Sequence, residues 1–206
     1  LRKVLLNSVF IVPNLKNKLE VSKNENQEKK DEIFVKDYHF FYEYIMNKDI
    51  NFNFFESRSL NFKNQNFKLT KFKSEQNFLP KYHNRYSKSS LYIDVLKSEN
   101  VLFIVSGSGV IMKSNLDNFI NSKNININSK LIDSNLNEII KYKQFYENSK
   151  FGIKDIMIDS NYLYVSFTNS PFKDCYNISV YKAKILKNTE KLIFKKVFDP
   201  EECVQI

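Results

Sequence analysis

An all-β fold is predicted for this 206-residue chain by three observations. Aromatic residues make up 15% of it, with 19 Phe, 12 Tyr and no Trp, and such side chains fit a pleated, half-buried surface. Residues 152–170, GIKDIMIDSNYLYVSFTNS, alternate in and out, break at Asp159-Ser160-Asn161 and then resume. That is the rhythm of an antiparallel hairpin. The third observation is that this hairpin recurs upstream at a constant offset.

Hydrophobic residues at 42% and charged residues at 27% suit a chain long enough to bury a sizeable core. Only Gly107, Gly109 and Gly152 and four prolines punctuate it. Turns must therefore be built from Asn, Asp and Ser, which tolerate left-handed and Asx-turn geometry. The net charge of +9 comes from lysine: Arg2, Arg58 and Arg85 are the only arginines among 32 basic residues. Specific phosphate and base contacts favour the arginine fork. The Lys excess also accompanies abundant Asn, Ile, Phe and Tyr, as AT-rich coding would give. No nucleic-acid partner is expected.

From the N-terminus, LRKVLLNSVFIVP has basic residues before a short apolar stretch, like a signal-peptide or anchor remnant. Asn7 and Ser8 interrupt it, and it falls well short of the roughly 20 apolar residues that span a bilayer. An amphipathic helix or strand explains it as well. The polar, charged residues 16–32 read as a solvated linker, so 1–32 form one unit. Residues 33–89 form a mixed or β extension, less regular than residues 90–206. Within it, Phe34, Tyr38, Phe41, Tyr42, Ile45 and Met46 recur at helical spacing, while near-alternate Phe over 51–73 favours strand.

From residue 90 three apolar runs, SLYIDVL, VLFIVS and VIMKS, are separated by KSEN and GSG. No Lys-Ser/Thr stands directly after the Gly-Ser-Gly, so it reads as a tight strand connection using glycine's φ freedom, not a phosphate loop. A polar stretch at 121–130, the run SKLIDS and a helical or irregular insert, LNEIIKYKQFYENSK, come next. Four strands are then predicted near 153–158, 162–168, 177–186 and 191–198, a spacing that suits an antiparallel meander.

The repeat joins these pieces. IDVLKSENVLFIVS at 93–106 aligns with the later hairpin so that Asp94 falls on Asp155, Val95 on Ile156, Asn100 on Asn161 and Leu102 on Leu163. The offset is 155 − 94 = 61 residues. Two strands joined by a polar turn, recurring in this way, predict a partial β-propeller of about two four-stranded antiparallel blades over 90–206. Such folds close with roughly four to eight blades. The chain begins at Leu1 and stops at PEECVQI, so both ends are expected to be cut, and the propeller to be incomplete at the C-terminus.

Motifs for chemistry are sparse. His39 and His83 lie in aromatic stretches without a carboxylate or second histidine at ligand spacing. Asp155, Asp159 and Asn161 offer oxygen atoms, but without the dense acidic spacing and glycine of a calcium loop they read as turn formers. Cys175 and Cys203 are 203 − 175 = 28 residues apart. A bridge between them is geometrically reasonable, and two free thiols are the alternative.

With these residues in place, 90–206 resembles the glucose/sorbosone dehydrogenase family. The resemblance is carried by FGIKDIMIDSNYLYVSFTN, KDCYNISVYKAKI and LIFKKVFDPEECV, and it favours a Cys175–Cys203 disulfide. It implies a periplasmic or secreted six-bladed propeller that oxidises a sugar hydroxyl, with hydride passing to pyrroloquinoline quinone beside Ca2+. The family's histidine base lies in a His-x-Gly-Gly-like turn expected beyond Cys203. Neither His39 nor His83 precedes a glycine, so neither takes that role. The resemblance therefore implies no catalytic residue in this chain, which should be inactive alone, with a sugar as the whole protein's partner. A non-catalytic secreted propeller that binds or scaffolds is the alternative.

Overall fold

The computed structural model describes residues 9–13, 50–74, 91–120, 126–140, 152–169, 175–200 and 202–203. The predicted helix at 34–46 lies outside them. Near-alternate phenylalanines build a long hairpin from β2 (Ile50–Phe62) and β3 (Gln65–Ser74), with β1 (Val9–Pro13) paired parallel to β3. The turn places Lys63 and Asn64 at positive φ, 47° and 61°. Asn tolerates that region best among non-glycine residues.

The three apolar runs become β4 (Leu91–Leu96), β5 (Val101–Ser106) and β6 (Ile111–Asn115), and β7 (Asn126–Ser134) completes the series. Successive pairing is antiparallel throughout. These four strands form the first predicted meander. They are also part of an eight-stranded curled sheet, because β7 serves three neighbours, β6, β2 and the short β11 (Lys191–Leu192). Its Lys130–Ile132 segment pairs with β6, and its Asn126–Ser129 segment pairs with β2. Residues 126–130 of the polar stretch 121–130 are thus strand. Backbone pairing, not apolar alternation, decides their structure.

The Gly-Ser-Gly connection is a buried turn. Ser106 Oγ lies 2.8 Å from Ser108 Oγ and accepts from the Val110 N–H at 3.0 Å. Gly109 has φ +89°, and a Cβ there would stand 3.1 Å from Ile140 Cδ1. Two short helices flank β7: α1 (Leu116–Ile120) precedes it, and α2 (Leu136–Ile139) opens the insert LNEIIKYKQFYENSK, of which 141–150 lie outside the described residues.

The second meander is β8 (Gly152–Asp159), β9 (Tyr162–Asn169), β10 (Asn177–Lys184) and β12 (Lys195–Phe198), in sheet order β12-β10-β9-β8. The strand predicted over 191–198 is split. β11 (Lys191–Leu192) instead pairs parallel with β7 of the first sheet. At the split, Asn135 replaces strand pairing: its Oδ1 accepts from the Phe194 N–H at 2.8 Å, and its Nδ2 donates to the Phe194 carbonyl at 3.2 Å. Leu192 and Phe194 are thereby buried between the sheets.

The two meanders pack face to face. Phe103, Val105, Ile111 and Ile132 of the first meet Ile153, Ile156, Leu163, Val165 and Phe167 of the second in one apolar cluster. The first meander's other face, with Leu102, Ile104 and Met112, meets Ile50, Phe52 and Phe72 of the curled hairpin in another. The fold is all-β, consistent with two stacked blades of a partial propeller. A disulfide joins Cys175 to Cys203, tying the approach to β10 to the chain beyond β12.

Candidate functional site

A cleft of about 370 Å³ opens at the seam between the two sheets. Its apolar part comes from Phe103 and Ile185, both buried. Its polar rim comes from strand ends and turns: Asn115 closes β6, Asn128 and Lys130 lie on β7, Asn118 is on α1, and Asn188 is in the turn after β10. Asn188 adopts φ 64°, so this turn too uses asparagine where glycine is scarce.

Charge in the cleft is ordered by one ion pair and a backbone contact. Lys113 Nζ donates to the Thr189 carbonyl at 2.7 Å, linking β6 to the second sheet. Burial pushes the Lys113 ammonium below its ordinary pKa, and the neighbouring Lys130 charge pushes the same way. Lys130 Nζ sits 2.6 Å from Glu190 Oε1, and that hydrogen bond holds the Glu190 carboxyl below the ordinary range. Amide and ammonium groups around an apolar floor can hold a small polar molecule that carries hydroxyl or anionic groups. No sequence motif marks this cleft, and Asn128 and Lys130 lie within the polar stretch 121–130. Lys113, at the polar end of the VIMKS run, is the one signal that a sequence pattern offers.

The sequence-predicted residues do not converge here. His39 and His83 lie outside the described residues. Asp155, Asp159 and Asn161 are exposed along one hairpin. Asp155 Oδ1 accepts from the Ile156 N–H at 2.9 Å, and the Asn161 carbonyl accepts from the Ile185 N–H at 2.8 Å. Ca2+ requires about six to eight oxygen ligands, yet no group of three His, Cys, Asp or Glu side chains gathers among the described residues. These residues do not fit the Ca2+ implied by the resemblance. The cleft lysines, already engaged with Thr189 and Glu190, do not assign a quinone site either.

The sequence repeat is realised, with one adjustment. The Asn100 carbonyl accepts from the Leu116 N–H at 2.9 Å, matching the bond from Ile185 to Asn161, so β5 and β9 superpose at the 61-residue offset. The first strands are shifted: Asp94 pairs opposite Phe103, whereas Asp155 pairs opposite Ser166. The cause is turn length. Residues 97–100 connect β4 to β5, but only Ser160 and Asn161 connect β8 to β9. Both aspartates still face the same side of their sheets, and each accepts from the next residue's N–H.

No protein-family model matches the chain, and no curated protein matches it. A solved structure of a glucose dehydrogenase is similar at TM-score 0.39 and 13% identity, over 57% of this chain and 34% of its own. The chain thus spans about a third of that structure, and the fold rests on the strand pairing described above. No helix among the described residues is long and apolar enough to cross a membrane.

Proposed function

We propose that this chain is scaffold from a glucose/sorbosone dehydrogenase-like propeller that oxidises a sugar hydroxyl. One observation carries the reading. The segments that bear the resemblance fold into a complete four-stranded sheet, closed by a disulfide and stacked on an earlier copy of its hairpin. The resemblance implies pyrroloquinoline quinone and Ca2+ in the whole protein, where the quinone would accept hydride. The described residues hold the stacked sheets in register and supply no acid or base to that chemistry. The disulfide supports an oxidising compartment, periplasmic or secreted.

The protein purified from its source, loaded with quinone and Ca2+, should reduce an artificial dye when given aldoses, and the 206-residue chain alone should not. Failure of the loaded protein to oxidise any aldose, with the fold intact by circular dichroism, would replace this reading with that of a non-catalytic binding propeller.

A further inference from the structure

The β2–β3 hairpin reaches beyond the sheet that anchors it. Among the described residues, β7 pairs with it only over Ile50–Asn53 and β1 only over Thr70–Ser74, so residues 54–69 pair within the hairpin alone. A lone two-stranded ribbon is marginally stable in water unless one of its faces packs on something.

Its two faces differ in chemistry. Phe72 points into the cluster shared with the first meander. By alternation Thr70, Lys68 and Asn66 share that face, with Ser57, Ser59 and Asn61 paired opposite them. Apart from Lys68, this side of the arm is hydroxyl and amide groups. On the other side, Leu69, Phe67 and Gln65 of β3 stand opposite Arg58, Leu60 and Phe62 of β2. Phe55, at the bulge, joins them, because Lys73 Nζ lies 3.3 Å and Lys71 Nζ 5.0 Å from its ring centroid. Phe55 is 46% exposed, Leu60 48% and Phe62 64%.

The charge around these apolar side chains has one sign. Arg58, Lys63, Lys68, Lys71 and Lys73 stand against Glu56, so residues 50–74 carry 5 − 1 = +4. Glu56 is engaged by Arg58 at 3.1 Å and by Lys71 at 3.3 Å. At the tip, Lys63 Nζ lies 5.5 Å from the centroid of the Phe62 ring.

We propose that this face of the hairpin docks on an anionic lipid surface. Phe55, Leu60 and Phe62 enter the boundary between headgroups and acyl chains, while Arg58, Lys63, Lys71 and Lys73 meet lipid phosphates. Charge complementarity selects the occupant: exposed apolar side chains rimmed by cations mark an interaction site, and anionic lipid supplies both the apolar phase and the opposite charge. A second copy of the same face would set +4 against +4. The inference goes beyond the dehydrogenase reading and stands without it, because it needs neither sugar nor quinone.

Tryptophan fluorescence tests it at the residue concerned. The chain has no Trp, so Phe62→Trp places a single reporter at the tip. In the 206-residue chain its emission should be that of an exposed indole. It should shift to the blue with vesicles of equal parts phosphatidylglycerol and phosphatidylcholine, be quenched by brominated lipid, and revert at high salt. Phosphatidylcholine vesicles alone should leave it unchanged. Phe198→Trp, on the exposed edge strand of the second sheet, is the control and should not respond. Leu60→Ser combined with Phe62→Ser should weaken vesicle cosedimentation by roughly tenfold or more, with circular dichroism unchanged. Vesicle binding that leaves the Phe62→Trp emission unshifted would overturn the proposal, because the net charge of the whole chain would then bind without this face. So would emission already blue without lipid, which would place another part of the chain over the face. A blue shift that grows with protein concentration would assign the face to a second copy and overturn it equally. None of these readouts depends on enzyme activity, so failure here is separable from failure of the functional reading.

Discussion

The Asp199 carboxylate accepts from Ser179 Oγ at 2.7 Å and from Lys196 Nζ at 2.6 Å, just beyond the last strand of the second sheet. Chiefly the Lys196 bond, and next the Ser179 bond, hold this carboxyl below its ordinary value. A group whose folded pKa is depressed stabilises above its unfolded pKa, and the contribution is lost as pH falls through the folded value. Asp199→Asn should therefore lower stability at pH 7 by about 0.5 kcal/mol, the scale of a largely exposed pair. The deficit should shrink as pH falls below the ordinary carboxylate range and through the depressed folded value. Urea unfolding midpoints for both proteins at pH 7 and pH 2.5 measure this. An unchanged gap at the two pH values would rule out the ionic contribution.

At the scale of elements, the hairpins were legible because period-two alternation and Asn/Ser turns both survive in the sequence. Leu163, Val165 and Phe167 point inward as their spacing requires, and the 61-residue repeat is preserved in β5 and β9. Other elements were hidden for physical reasons. The Asn-rich start of β7 is strand because β2 pairs with it, which no local pattern encodes. The break between β11 and β12 depends on Asn135, 59 residues away from Phe194 in sequence. The cleft lysines are invisible for the same reason, since Lys113 meets Thr189 across 76 residues. The turn after β8 also carries a local conflict. Ser160 adopts φ 54°, a region where a β-carbon is unfavourable and where glycine is preferred at the first central position of a two-residue turn. Ser160→Gly should stabilise the protein by about 0.5 kcal/mol, the relieved strain exceeding the added unfolded-state freedom. A thermal melt reads it, and a lower midpoint would show that Ser160 is not strained.

At the scale of the whole molecule, the first meander is the middle layer of a stack, with one apolar cluster on each face. Phe103 belongs to the cluster shared with the second sheet, and Phe119 to the cluster shared with the curled hairpin. Phe119 packs its ring 5.1 Å from Phe72 and 5.9 Å from Phe52, centroid to centroid. Both Phe103 and Phe119 are 1% exposed, so truncating either to alanine should cost about 3–5 kcal/mol through lost burial and a cavity. The two losses should not have the same reach. In stacked repeats each layer is held by its immediate neighbours, so an interface defect loosens the outer layer before the middle one. Amide hydrogen exchange should therefore show Phe103→Ala raising exchange in β8 and β9. The Ile158 amide, which donates to Asp94 Oδ2, should be among the first to lose protection as Asp94 no longer reaches it. Phe119→Ala should instead raise exchange in β2 and β3 and leave β8 and β9 protected. Uniform loss of protection across all strands in both variants would mean that the sheets unfold as one cooperative unit, and the layered description would fail.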